Sequence, residues 1–558
     1  MATTDVITVA EPLTAVAVSS AEPFAAEIPS SENPVEPLHL IDRPQTRTAL
    51  RLYAILSALY LSLFIAALDQ TIIAIAIPTI CADLHSSSGY AWIGGAYLVA
   101  NAASGPIWAK CSDIWGRKPM LLIAVVVFAA ASILAALSTN MPMLIAARAL
   151  QGTAGGGLMQ LVTITISDLF SVRKRSLYLG YAGFVWALAG SAGPLIGGAF
   201  TQFRTWRWCF WINLPISATA FIMLLLLDVH NPRTRLIEGM KVIDWFGTFS
   251  ILAVTLLLLV GLDFGGAIFP WSSPKVICLV VFGSLMIGFF LFSEHRLAKH
   301  PLMPLGVFKS WSNNAVFLVV FSHGMVLIGI EYYMPLYFQG VRQTSPFGAG
   351  VLLLPLIVTQ AVIETISGVL IDRTGRYREI TWVGVTLMTI GTGLYITFGT
   401  DTSVAKVVGL QIFGGLGPAL LFQGPIIAIQ NTVSQADTAA ATASLGFIRN
   451  LAMALSIVVG GVVFQNSMDS RQSSLAAAGL SQSLLEALSG SMAAANVGIT
   501  RTIQDAVQRQ VVLDAFSFSV RNLFILYACL AAVGMISSAF IKHRTLKTEH
   551  TETKTGIS

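Results

Sequence analysis

Charge is what this sequence has least of. Only 11% of its 558 residues are Asp, Glu, Lys or Arg, against about a quarter in an average soluble protein. A water-soluble globule of this length would lack the polar surface to cover its cores. Cysteine is scarce as well. The five, Cys81, Cys111, Cys209, Cys278 and Cys529, stand singly, which excludes a disulfide scaffold. Without a C-x-x-C pair or a His-rich spacing, no metal site is expected. Nucleotide loop, His cluster and nucleophile elbow are also missing, so neither an enzyme nor a bound cofactor is expected. Strand alternation is absent, and the apolar runs far exceed the ~10 residues that a membrane strand needs.

What the chain does have is apolar sequence: 55% hydrophobic residues and a mean hydropathy of +0.74. Its runs are long enough to cross about 30 Å of hydrocarbon, which predicts an all-α integral membrane protein. Residues 1–48 are the exception. They are rich in Ala, Pro, Ser and Glu and carry no Lys or Arg before Arg43, so they resemble neither a secretory signal nor a mitochondrial presequence and read as a disordered cytosolic tail. Fourteen spans are predicted at 50–80, 91–109, 119–138, 142–167, 176–201, 208–227, 243–263, 275–294, 313–339, 347–371, 379–399, 403–430, 438–466 and 518–541.

Loops that stay in the cytosol keep positive charge. Those after even-numbered spans hold fifteen Lys and Arg and the short loops after odd-numbered spans hold five, which puts both termini in the cytosol. The net charge of +5 therefore reflects topology, and no nucleic-acid partner is expected. One long segment, 467–517, falls on the non-cytosolic side. Its Leu residues recur at helical spacing and Ser483-x-x-Glu486 fits a capping box, so a short interfacial helix is expected there.

Charges inside the spans are the informative residues. Arg148 and Arg449 are the basic residues deep within these segments, and Asp69, Glu331 and Glu364 are the acids. Each costs about 2.5 to 3.5 kcal/mol at a helix centre, so a chain that keeps them uses them or pairs them. Asp69 with Arg148 could be a structural pair or a working one. Arg449, beside Asn450, is balanced between function and hydrogen bonding between helices.

At these residues the chain resembles the fourteen-span drug:proton antiporters of the major facilitator superfamily. Leu68-Asp69-Gln70-Thr71 with Ala76-Ile77-Pro78 is similar to the subfamily's first span. Ala109-Lys110-Cys111-Ser112-Asp113-Ile114-Trp115-Gly116-Arg117-Lys118 resembles motif A, with Ala109 in place of its first Gly. That spacing returns at Gly368-x-x-x-Asp372-x-x-Gly375-Arg376, an internal-repeat signal. Arg148-Ala149-Leu150-Gln151-Gly152 resembles motif B, and Gly193-Pro194-Leu195-Ile196-Gly197-Gly198 the antiporter motif C. Trp206 to Pro215 and Tyr332 to Gln339 resemble the sixth and ninth spans.

The resemblance implies a major facilitator fold: an N-terminal six-helix bundle at 49–228, two inserted helices with their loops at 229–310, a C-terminal six-helix bundle at 311–541 and a cytosolic tail at 542–558. It implies a monomeric exporter in the cell membrane, alternatively the vacuolar membrane, that exchanges protons for small amphipathic compounds by alternating access. Asp69, Arg148, Glu331 and Glu364 would couple protons, with Arg148 biasing a carboxylate because a guanidinium holds its proton. Asp113, Gly116, Arg117, Asp372, Gly375 and Arg376 would gate, and Gly193, Pro194, Gly197 and Gly198 would bring helices close. Gln151, Tyr332, Tyr333, Phe413, Phe422 and Gln423 would line the substrate cavity. Two other readings stay open: uptake of basic amino acids into a vacuole, and a nutrient receptor that transports nothing.

Overall fold

Runs of apolar residues with no water to bond their backbone must satisfy it within the run, and helices do so. The computed structural model describes residues 49–84, 89–226, 244–265, 269–298, 302–303, 305–434 and 437–546. From Ala49 onward the chain clusters as one compact unit. The expected tail over 1–48, the loop at 227–243 and the last residues, 547–558, lie outside the described residues.

The first group of helices is α1 (Ala49–Asp83), α2 (Gly89–Trp115), α3 (Arg117–Ala136), α4 (Met141–Leu169), α5 (Val172–Phe203), α6 (Trp208–Trp211) and α7 (Asn213–Leu226). A pair follows, α8 (Trp245–Phe264) and α9 (Pro274–Phe292). The second group is α10 (Trp311–Gly340), α11 (Pro346–Thr374), α12 (Tyr377–Tyr395), α13 (Val404–Leu420), α14 (Gln423–Gln430) and α15 (Thr438–Asp469). Short helices α16 (Gln472–Ala477), α17 (Gln482–Ala487) and α18 (Gly490–Ala495) lead to α19 (Ala506–Ser538). Among the described residues no named element is a strand.

Eleven of the described helical segments are long and apolar enough to cross a membrane. The helices α2, α4 and α12 are not among them, because small and polar residues dilute α2 and α4 and because Arg378, Glu379 and the Thr residues dilute α12. Small residues serve close packing instead: α4 lays its glycines on the α2 backbone at Tyr97 and Asn101.

Local chemistry sets the helix ends. Asn140 Oδ1 accepts from Met143 N at 2.9 Å to start α4, and Ser345 Oγ accepts from Gly348 N at 3.0 Å to start α11, each satisfying an orphan donor. Two predicted spans are broken helices. The sixth divides into α6 and α7 at Ile212, and the twelfth into α13 and α14 at Leu421 and Phe422. Pro215 and Pro425 have no N–H for the carbonyl four residues back, which opens the ladder at these points.

Packing divides the chain. In the first group α1 lies on α5 and α4 on both α2 and α3; in the second α10 lies on α15 and α19, and α12 on α13. Across the groups α5 meets α11 and α2 meets α15, while α8 and α9 pack on each other and α8 touches α2 and α15.

The 467–517 segment differs from the single interfacial helix expected. Its three short helices and a 3-10 turn at Val497–Arg501 bury Leu475, Leu488, Ala493 and Thr500, and Arg501 donates to the Thr344 carbonyl. The helix cap is Ser481, whose Oγ accepts from Leu484 N at 3.4 Å, and not Ser483. A helix can start two residues earlier because Ser481 offers the same hydroxyl. The start of the expected C-terminal tail also packs: Lys542 N donates to Ser312 Oγ at 2.9 Å and Arg544 N to the Tyr377 hydroxyl at 3.0 Å.

Candidate functional site

Asp69 stands on α1 with no exposure to solvent, and four helices supply its surroundings. Arg148 of α4 brings Nη1 to 2.5 Å from Asp69 Oδ2. Gln151, one turn on, donates to Asp69 Oδ1 at 3.1 Å, and Asn213, the first residue of α7, donates to the same oxygen at 2.8 Å. Both amides also donate to Ser132 Oγ of α3, at 2.9 and 3.2 Å. The guanidinium is held from its other sides by the Ile93 carbonyl at 3.0 Å, by Gln151 Oε1 at 3.0 Å and by the Tyr97 ring, 4.6 Å from its centroid. Both carboxylate oxygens are answered, Oδ1 by two amides and Oδ2 by the guanidinium, as a charge pair inside a protein requires.

The glycines of the 193–198 segment sit beside this cluster. Gly193 and Gly197 of α5 turn their bare faces to Thr71 and Ile72 of α1, two and three residues after Asp69. No room exists there for a Cβ, and Thr71 Oγ1 donates across the seam to the Ala189 carbonyl at 3.1 Å. Gly198 meets nothing within 4 Å, and the Pro194 side chain lies outside the described residues.

At the α2–α3 turn Gly116 has φ 94, which a residue with a Cβ rarely adopts. Arg117 there binds Asp113 through Nη1 at 2.6 Å and Asp168 of α4 through Nε at 2.8 Å. The repeated copy differs. Gly375, at φ 69, ends α11, but no ion pair joins Asp372 to Arg376. Instead Arg173 of α5 donates to the backbone carbonyls of Asp372 and Arg373, the latter at 2.6 Å.

A second polar cluster forms where α13 breaks. Gln423 Nε2 donates to Glu364 Oε1 at 2.8 Å, and the Glu364 carboxyl lies on the bare face of Gly183 in α5. Phe422 meets the edge of His323 at 4.8 Å between ring centroids and the Arg449 guanidinium at 5.3 Å. Glu331 of α10 faces Gln360 of α11.

The residues expected to line a cavity are thus spread. Gln151 is fully buried against Asp69. Tyr333 is buried among α10, α15 and α19, its hydroxyl donating to the Ile457 carbonyl at 2.5 Å. Tyr332 is half-exposed, Phe413 is partly buried, and Phe422 and Gln423 share the α13–α14 break. Sequence reasoning missed Ser132, Asp168 and His323, and quoted Asn213 without a role. A polar side chain inside an apolar run was the available signal, and for Asn213 the prolines that break spans strengthened it.

Two groups of membrane-length helices, one enclosing an ion pair and joined to the other along glycine-lined seams, are the fold of a multi-pass membrane protein. The family model described as Major Facilitator Superfamily matches residues 59–457. The chain is 43% identical over 504 residues to "Efflux pump dotC" of Dothistroma septosporum, covering 90% of this chain and 86% of that one. It is 43% identical over 515 residues to "MFS-type transporter ppz2" of Metarhizium majus, covering 92% and 88%. Among solved structures, a double-tryptophan mutant of XylE aligns with a TM-score of 0.57 at 14% identity over 89% of this chain and 97% of that one, a likeness of fold. The chain belongs to the Major Facilitator Superfamily.

Proposed function

We propose that this protein exports small amphipathic compounds in exchange for protons. In this reading it has fourteen spans, two of them inserted between six-helix halves, keeps both termini in the cytosol and works as a monomer in the cell membrane. The naming of its relatives as efflux pumps supports export. One observation carries the coupling: the carboxylate of Asp69 lies at 0% exposure in a cluster that ties α1 to α3, α4 and α7.

A charge so enclosed is stable only while Arg148 answers it. Protonating Asp69 removes one half of the pair and leaves a guanidinium that does not release its own proton. The cluster then prefers a different arrangement of α1 against α4, and the halves rock. Glu331 and Glu364 are the further acids that could load with cargo or proton. The Asp113–Arg117–Asp168 cluster serves as a latch at the cytosolic ends of α2 and α4, since ionic contacts between rigid elements repack as wholes.

Asp69→Asn keeps the shape and the amide contacts but not the titration. Reconstituted into vesicles with an imposed pH gradient, it is expected to reach the membrane normally and to lose about a hundredfold or more in gradient-driven transport, the loss typical of a missing proton-transfer group. Gradient-driven transport at the unaltered rate would overturn the coupling role.

A further inference from the structure

Two arginines lie deep inside the helices, and they differ in what they hold. Arg148 has a carboxylate, a carbonyl and an amide within 3.0 Å. Among the described residues no carboxylate lies within 4.0 Å of Arg449 of α15, and the carboxyl that acts on it, that of Glu364, does so from beyond contact. Its guanidinium makes one long hydrogen bond, from Nη2 to the Phe422 carbonyl at 3.4 Å, and its buried Nε has no partner. A cation kept in a membrane interior without a counter-charge in contact is a costly group, and such residues mark ligand paths.

His323 of α10 repeats the pattern beside it. The ring is fully buried, and neither nitrogen has a partner in hydrogen-bond geometry. The polar groups that face it are the Arg449 guanidinium and the Pro418 carbonyl. Buried polar atoms in folded proteins are almost all bonded, so unfilled donors on two neighbouring helices point to a missing acceptor. Both side chains converge on one ring, Phe422, from 4.8 and 5.3 Å. That ring stands at the break between α13 and α14. Irregular backbone at membrane depth is tolerated where protein buries it or where it lines a cavity, and broken helices hold substrate in transporters.

Glu364 does not fill the gap. Its Oε1 accepts from Gln423 Nε2, and its carboxyl lies against Gly183 on the α5 side. Gln423 Oε1, also buried, is left without a donor. The unfilled set is therefore one guanidinium, one imidazole and one amide oxygen around an aromatic face.

We propose that Arg449 and His323 bind an acidic oxygen of the transported compound, a carboxylate or phenolate carried on an aromatic skeleton that packs against Phe422. This rests on the export reading above and narrows its cargo from small amphipathic compounds in general to weakly acidic aromatic ones. The anion supplies the contact with a counter-charge that Glu364 does not make, and a protonated neighbouring hydroxyl on the cargo can donate to Gln423 Oε1. Arg449→Lys keeps the charge but loses the planar fork, so it retains part of the function.

Two dyes of one xanthene skeleton test this: fluorescein, which is anionic, and a cationic rhodamine ester. Efflux is measured in vesicles holding the full chain, and binding by fluorescence quenching on the purified protein. The unaltered protein is expected to prefer fluorescein. Arg449→Gln should raise the KM for fluorescein about tenfold or more, as expected for the loss of a hydrogen bond to a charged group. His323→Phe should raise it less, and kcat should change little in either. Preference for the rhodamine ester, or an unchanged fluorescein KM in Arg449→Gln, would overturn the proposal. If neither dye is exported, binding decides. Fluorescein bound by the unaltered chain and released in Arg449→Gln upholds the anion site and sinks the export reading. Binding that is absent, or indifferent to Arg449, sinks the anion site itself.

Discussion

A single amide shows how much one residue contributes to the Asp69 cluster. Asn213 donates to both Asp69 and Ser132 from a site with no solvent exposure. Asn213→Ala removes a hydrogen bond to a charged group and is expected to cost about 1.5 to 3 kcal/mol, read as a lower melting temperature in detergent. An unchanged melting temperature would mean that the cluster closes without it. The pair at its centre predicts coupling. Asp69→Asn and Arg148→Ala each break one unit, so the double variant should lose far less transport than the two separate losses combined. Losses that add in log rate would mean that the two side chains act independently.

At the scale of the element, the seams between helices decide where the charged residues can sit. Gly197 faces the Ile72 carbonyl without room for a side chain, and this lets α5 approach α1 just beyond Asp69. Gly197→Leu is expected to push the helices apart at a cost of about 1 to 3 kcal/mol and to slow transport. Gly198→Leu, at a position with open space around it, should do neither. Equal effects from the two variants would mean that the motif acts through backbone flexibility and not close approach. The broken spans work the same way. Pro215 and Pro425 end their ladders so that Asn213 points at Asp69 and Gln423 at Glu364.

Over the whole molecule, contact between the two groups of helices is concentrated on α5 with α11 and on α2 with α15. Arg173 ties the start of α5 to the last carbonyls of α11, where a helix end is rich in unbonded acceptors. Arg175, two residues on, reaches Gln430 of α14 at 3.2 Å. Arg173→Ala should loosen this end and raise the rate at which a maleimide labels Cys111, which lies partly buried near the end of α2. An unaltered labelling rate would place the tie elsewhere.

Much of this was legible in one dimension. Apolar runs determined that the chain is helical and crosses a membrane, because hydrocarbon offers the backbone no partners. The motifs around Asp69, Asp113 and Arg148 resemble those of the superfamily to which the chain belongs, and the charges retained in apolar runs marked the residues to watch. The sequence could also offer Asp69 and Arg148 as a pair, from their opposite charges and the cost of leaving either alone. What it could not do was say what Arg449 holds. Arg148 and Arg449 are both single guanidiniums in apolar helices; the packing of α1 on α4 put a carboxylate in contact with Arg148, while among the described residues none lies within 4.0 Å of Arg449. His323 was invisible for the same reason. A histidine in a span is ordinary until its neighbours are known, and whether a buried polar atom is satisfied depends on residues as far as 255 and 263 positions away. Tertiary structure alone decided that.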